Sequence, residues 1–183
     1  MLKIRIQGTP NPNARKYVLD EELKAEGKVT YKDREECSHV PLASLLMSIP
    51  GVKQIHFFEN VLTVTRESNY DWAKIDHAAQ NVLDKNILEH DIYFNEQRDV
   101  PLTEKPDLPA HLQEIDAIID RMIRPSLQLD GGDIELVHYE ENILQIRYMG
   151  ACGDCPSSMA GTLHAIQSVL QDELNPNIQI VVV

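Results

Sequence analysis

The chain has 183 residues, enough for one ordinary domain or two small ones, and 43% of them are hydrophobic, the share of a soluble globular protein. No run approaches the eighteen apolar residues of a membrane span, the start MLKIRIQGTP has no signal-peptide pattern, and three cysteines do not make a disulfide framework. The net charge of −12 is uneven: residues 1–98 carry 13 Lys and Arg against 15 Asp and Glu, whereas residues 99–183 carry 4 against 14, with no cation after Arg147. Four cations among fourteen carboxylates cannot neutralise a row of phosphates, so nucleic acid is not expected as a partner, and neither is a membrane.

In chain order, "LKIRIQ" alternates at Leu2, Ile4 and Ile6 and predicts a strand. "GTPNPN" (8–13) is a run of turn formers, readable as a rigid corner or as a recognition surface, and "RKYVLD" resumes as a strand. "PLASLLMSIPG" predicts a short helix from Pro41 that ends before Pro50-Gly51. "VKQIHFFENVLTVTRE" predicts a hairpin turning at Glu59-Asn60. The helical spacing of Trp72, Ile75, Ala79, Val82 and Leu83 predicts a long core-facing helix. "NEQRDVPLTEKPDLP" is rich in proline and charge and poor in apolar residues, which predicts a linker. The expected boundaries are a first domain over 1–94, a linker over 95–108 and a second domain over 109–183.

In the second block, Leu112, Ile115, Ile118, Ile119, Met122 and Ile123 predict one apolar helix face, with Pro125 as its end. "LDGGD" (129–133) predicts a turn whose Gly131 and Gly132 suit positive φ or the close approach of another segment. A hairpin is expected over 134–149 with Leu144, Ile146 and Tyr148 on one face. A helix follows, with Met159, Leu163, Ile166, Leu170 and Leu174 inward and Asn175-Pro176 ending it, and then a last strand over 178–183. The fold class expected is α+β, as two small α+β domains.

Between the hairpin and the last helix lies "MGACGDCPSSMAGTL". Its Cys152 and Cys155 are expected to stand exposed in a short glycine-containing loop, both sulfurs aimed at one point. Pro156 suits the first position of a helix, so Cys155 sits at a helix mouth, where free N–H groups and the dipole favour a thiolate. Such a pair serves a metal or a dithiol–disulfide couple. A thioredoxin-like redox site wants its C-x-x-C between a strand and a helix of a βαβ unit. The strand, loop and helix fit that requirement, but the preceding hairpin and the order of elements do not. Zinc and a four-iron cluster each want four ligands, and this loop supplies two; two chains facing each other supply four. His164 points away from the apolar helix face and reads as solvated, and His138 reads as an ordinary strand residue. Nothing in the sequence marks a catalytic acid–base pair or a phosphate loop, so an enzyme is not expected.

"IRPSLQLDGGDIELV" (123–137), followed by "GACGDCPSSMAGTL", resembles the C-terminal domain of NifU-like (Nfu) iron–sulfur scaffold proteins. "GTPNPNARKY" (8–17) resembles the N-terminal domain of the same family. The resemblance implies a homodimer with one [4Fe–4S] cluster held by Cys152 and Cys155 of both chains. It also implies receipt of that cluster from a donor scaffold and its delivery to apo iron–sulfur client proteins. Cys37 lies outside both stretches and reads as a partly buried bystander. A reducing compartment fits: a bacterial-type cytoplasm or, if a targeting segment has been removed, the mitochondrial matrix. A thiol–disulfide oxidoreductase and a zinc-binding interaction module remain the alternatives for the same two thiols.

Overall fold

The computed structural model describes residues 2–94, 110–154 and 156–183. The chain divides into two compact units, Met1–Arg98 and Asp99–Val183, each containing helices and a sheet, which is the expected α+β class. The expected linker, 95–108, lies outside the described residues.

In the first unit, β1 (Ile4–Gly8), β2 (Ala14–Leu19), β3 (Lys28–Tyr31), β4 (Val52–Phe58) and β5 (Val61–Arg66) form an antiparallel sheet in the order β1-β2-β5-β4-β3. The β4–β5 hairpin turns at Glu59-Asn60 with Glu59 at φ 50°, and Val61, Val64, Thr63 and Thr65 give β5 its β-branched character. α1 (Pro41–Met47) begins on Pro41, whose missing N–H costs nothing at that position. α2 (Trp72–Asn86) is capped by Asp71, which accepts from Ala73 N at 3.0 Å. Its Trp72, Ile75, Ala79 and Leu83 are buried, and Val82 packs at the margin. These residues join Leu42, Ala43 and Leu46 of α1 and Tyr17, Ile55, Phe57 and Leu62 of the strands in one core.

β3 carries no sequence signal of its own. Four residues are too few to show a period, and the strand exists because Val29 and Tyr31 pair with Phe57 and Ile55 of β4 and bury their side chains. The "GTPNPN" stretch is tied down. Thr9 Oγ1 donates to Asn11 O at 2.9 Å, and Asn13 N donates to Asn11 Oδ1 at 2.9 Å. Trp72 Nε1 donates to Pro12 O at 3.2 Å, and the guanidinium groups of Arg15 and Arg66 lie 4.7 and 4.8 Å from the centre of the Trp72 ring.

In the second unit, α3 (Ala110–Met122) and α4 (Arg124–Leu129) precede β6 (Gly132–Glu140) and β7 (Ile143–Gly150); α5 (Pro156–Glu173) and β8 (Gln179–Val182) follow. The β6–β7 turn places Glu141 and Asn142 at φ 48° and 67°, the two consecutive positive values of a type I′ hairpin. β8 runs parallel to β7, so β7, α5 and β8 form a crossover unit. Ile115, Ile119, Ile134, Leu144, Ile146, Tyr148, Ile166 and Leu170 are buried between the helices and one face of the sheet.

One expectation is corrected here. Met122 is 45% exposed, because α3 ends at it and the chain turns away from the apolar stripe. α3 ends before Pro125, as expected. Pro125 then sits in the first turn of α4, where a proline is tolerated, and that helix carries the chain to Leu129.

Candidate functional site

The site is built from two chain reversals that touch. β6 and β7 pair to their ends, with Gly132 opposite Gly150, so the start of one strand and the exit of the other lie side by side. The exit is a 3-10 turn, Ala151–Asp154, and Ala151 N donates to Gly131 O at 3.0 Å, which ties it to the Gly131–Gly132 reversal. Gly131 has φ 77° and accepts this left-handed backbone without strain.

Gly132 has a second reason to be glycine. A Cβ at that position would lie 2.2 Å from Cys152 Sγ and 2.9 Å from Cys152 N. The Cys152 thiol therefore rests directly on glycine backbone, and any side chain there would displace it. The close approach expected of the "LDGGD" turn is made, and the segment that approaches is the cysteine turn itself.

Cys152 is not exposed, as the loop was expected to be. It is 9% accessible and belongs to the buried cluster of its unit, because the turn folds back over the end of the hairpin. Tyr148, four residues upstream in β7, has its phenol pushed up to about 12 by burial and, secondarily, by the charge of a Cys152 thiolate. Cys155 lies outside the described residues; in sequence it immediately precedes Pro156, the first residue of α5. His138 and His164 are exposed; His138 Nε2 lies 3.3 Å from Glu140 Oε2, and His164 Nδ1 lies 3.5 Å from Ser168 Oγ. Neither is gathered with Cys152: among the described residues, no group of three or more His, Cys, Asp and Glu side chains is placed to hold a metal ion. Cys37 is fully rather than partly buried, its Sγ donating to Arg34 O at 3.4 Å, and burial pushes its thiol up.

What the sequence did not single out is the support of the glycine reversal. Asp133, next to Gly132, is fully buried and paired with Arg124 of α4, Nε to Oδ1 at 3.0 Å. The signal was present in "IRPSLQLDGGD" as a lone arginine and two aspartates, Asp130 and Asp133, flanking the glycines, but sequence spacing alone does not say which of them the arginine pairs with.

The family model described as "NifU-like domain" matches residues 115–181, and that described as "Scaffold protein Nfu/NifU N terminal" matches residues 4–90. The chain belongs to the NifU-like (Nfu) family. It is 31% identical over 181 residues to the human NFU1 iron-sulfur cluster scaffold homolog, mitochondrial, an alignment that covers 92% of this chain and 66% of the human one. It is 30% identical over 172 residues to the protein of the same name from Drosophila grimshawi, covering 92% of this chain and 57% of that one. The chain thus spans between about half and two thirds of the length of these curated relatives. The solution structure of a NifU-like protein from Saccharomyces cerevisiae aligns with 52% of this chain and 87% of that chain, at 24% identity and a TM-score of 0.48. Both cysteines of interest fall within the stretch matched by the NifU-like domain, whereas Cys37 falls in the N-terminal match. Among the described residues of this Nfu family member, no helix is long and apolar enough to cross a membrane.

Proposed function

We propose that the chain is an iron–sulfur cluster scaffold and carrier. Its cargo is a [4Fe–4S] cluster held between two copies by Cys152 and Cys155 of each, taken from a donor scaffold and passed to apo-proteins. The observation that carries this reading is the placement of Cys152 against the Gly131–Gly132 reversal, in the 3-10 turn between β7 and α5, within the stretch that matches the NifU-like domain. The curated relatives are named as iron–sulfur cluster scaffolds, and soft thiolates are the donors such a cluster takes.

The chemistry needed is ligand exchange, with no net oxidation. An incoming client thiolate bonds to iron, the Cys152 or Cys155 thiolate leaves that iron, and the charge at the metal is unchanged. A holder with two ligands per chain suits release better than a cage of four from one chain. The role is one of binding and transfer rather than catalysis of a covalent conversion. The relatives' names specify the mitochondrion; a mitochondrial matrix or a bacterial-type cytoplasm both keep thiols reduced.

One observation favours a second reading. β7, α5 and β8 form a parallel crossover, and in sequence the C-x-x-C lies between β7 and α5, the setting the order of elements was expected to lack for a thiol–disulfide oxidoreductase. Anaerobic reconstitution with iron and sulfide separates the readings. The expected outcome is a brown protein that loses its iron in Cys152→Ala and in Cys155→Ala and keeps it in Cys37→Ala. Full iron retention in Cys155→Ala would overturn the ligand assignment. Metal-free protein that reduces insulin disulfides would favour the oxidoreductase, and colourless protein with stoichiometric zinc would favour an interaction module.

A further inference from the structure

One largely buried guanidinium is paired next to the glycine reversal that seats the cysteine turn, and nothing in the proposed cluster chemistry requires it. The Arg124 side chain is 14% exposed and that of Asp133 is 0% exposed, with Nε 3.0 Å from Oδ1. Arg124 Nη2 reaches Asp116 Oδ1 of α3 at 2.9 Å and donates to Ile134 O at 3.3 Å, and Nη1 meets Asp120. Asp133 Oδ1 also accepts from Ile134 N at 2.7 Å, and Oδ2 accepts from Gln128 Nε2 at 3.2 Å. One cation thus gathers three carboxylates from α3 and β6 and grips the backbone at Ile134. Residues 99–183 carry only three other cations, Lys105, Arg121 and Arg147.

The position of this pair matters more than its strength. A buried ion pair seldom adds net stability over an apolar replacement, but it admits few geometries. Asp133 is bonded covalently to Gly132, and Gly132 is the wall against which Cys152 Sγ lies. The same reversal holds the cysteine turn by Ala151 N to Gly131 O. A shift of Asp133 is therefore passed to the thiol through one residue of backbone.

We propose that Arg124 is a positioning residue for Cys152: through Asp133 it fixes the Gly131–Gly132 backbone on which the thiol rests, and so sets how far that thiol is shielded. The consequence for cluster binding rests on the reading of Cys152 as a ligand; the shielding of the thiol does not. Loss of the guanidinium leaves the Asp133 carboxylate buried without its cation. The carboxylate then moves toward water or takes up a proton, and either event releases the reversal.

The test uses the full chain with iodoacetamide in chelator-containing native buffer, with the alkylation rate of Cys152 followed by peptide mass mapping. Far-UV circular dichroism and thermal unfolding are recorded alongside. Arg124→Gln is expected to label Cys152 about tenfold faster than the parent at unchanged far-UV signal, as local opening would allow. Arg124→Lys keeps the charge but loses the fork and should fall between the two. The double variant Arg124→Gln with Asp133→Asn should return toward the parent rate, because no unpaired charge is then left buried. A merely structural role would lower the unfolding temperature and leave native-state labelling of Cys152 as it is, and that result would overturn the proposal. Should Arg124→Gln fail to fold, Asp133→Asn carries the same comparison, with the same two outcomes. Iron content after reconstitution of the parent is read separately. A parent that takes up no iron while Arg124→Gln still speeds labelling would fail the cluster reading and sustain the positioning role. Normal iron uptake with unchanged labelling would do the reverse.

Discussion

Gly132 and Gly161 are both glycines of the second unit, and their surroundings give them opposite mutational signs. At Gly132 an added methyl would sit 2.2 Å from Cys152 Sγ and 3.0 Å from Cys152 Cβ, so the turn must move to admit it. At Gly161, in α5, nothing lies within 4 Å of the same methyl. Gly132→Ala is expected to cost about 1–3 kcal/mol, the range for overpacking. It should also push Cys152 out of its seat, lowering iron uptake. Gly161→Ala should stabilise by about 0.5–1 kcal/mol, because alanine loses less freedom in a helix. Chemical denaturation of both variants, with iron content beside it, checks the pair. A Gly132→Ala protein as stable as its parent would mean that the cysteine turn yields freely. Cys37 differs from Cys152 at the same scale. It is buried among the core residues of the first unit with its thiol pushed up by that burial, which makes it a poor ligand and a poor nucleophile at neutral pH.

At the level of elements, legibility followed length and period. α2 and α5 were readable because four or more apolar residues recur at helical spacing, and the two hairpins because β-branched runs flank turn residues. β3 was not: its four residues are strand only because β4 offers them a partner. α4 was not, since Pro125 reads equally as a stop for α3 and as a start for the next helix. The cysteine pair was legible as a site from spacing, but its burial was not. Burial depends on the 3-10 turn folding back onto Gly131, a contact between residues twenty apart in sequence. The 3-10 turn after α2, Ile87–Glu89, ends in a further element with a measurable signature. His90 packs against Phe57 and Phe94, with ring centroids 6.2 and 5.3 Å away, and its Nε2 lies 2.8 Å from Leu23 O. Burial lowers its pKa, opposed by the Leu23 carbonyl and Asp91 and assisted by Lys24. A histidine held neutral in the folded state binds fewer protons than the unfolded chain does below about pH 6.5. Its contribution to stability is therefore full above that pH and falls as the pH drops from there toward the folded value. The parent should lose unfolding temperature between pH 7.5 and 5.5 more steeply than His90→Phe, which keeps the aromatic packing without the proton site. Parallel slopes for the two proteins would show that His90 does not titrate against folding.

At the scale of the whole molecule, the proposed division into 1–94, a linker over 95–108 and 109–183 separates a nearly neutral first part from a strongly acidic second one. That asymmetry bears on assembly. A four-iron cubane has four iron corners that each take an outside ligand, and each chain offers Cys152 and Cys155. Two chains meet that need, with a two-fold axis through the cluster as the simplest arrangement. Without the cluster, the same encounter brings together two segments that each carry 4 cations against 14 carboxylates over residues 99–183, and like charge opposes it. Cys152 is also buried in the single chain, so part of the free energy of loading must go into opening its turn. Cluster and dimer are therefore expected to form together. The apo protein should sediment as a monomer or a loose dimer at micromolar concentration, and the loaded protein as a dimer with about two irons per chain. Raising the ionic strength should tighten apo self-association, since screening shortens the reach of the repulsion to about 10 Å at 0.1 M salt. Chelation, or transfer of the cluster to an apo client, should restore the apo size. Sedimentation with simultaneous iron analysis reads all of these at once. A loaded protein that sediments as a monomer with four irons would show that the two missing ligands come from the same chain or from a small thiol, and the bridged arrangement would then be wrong.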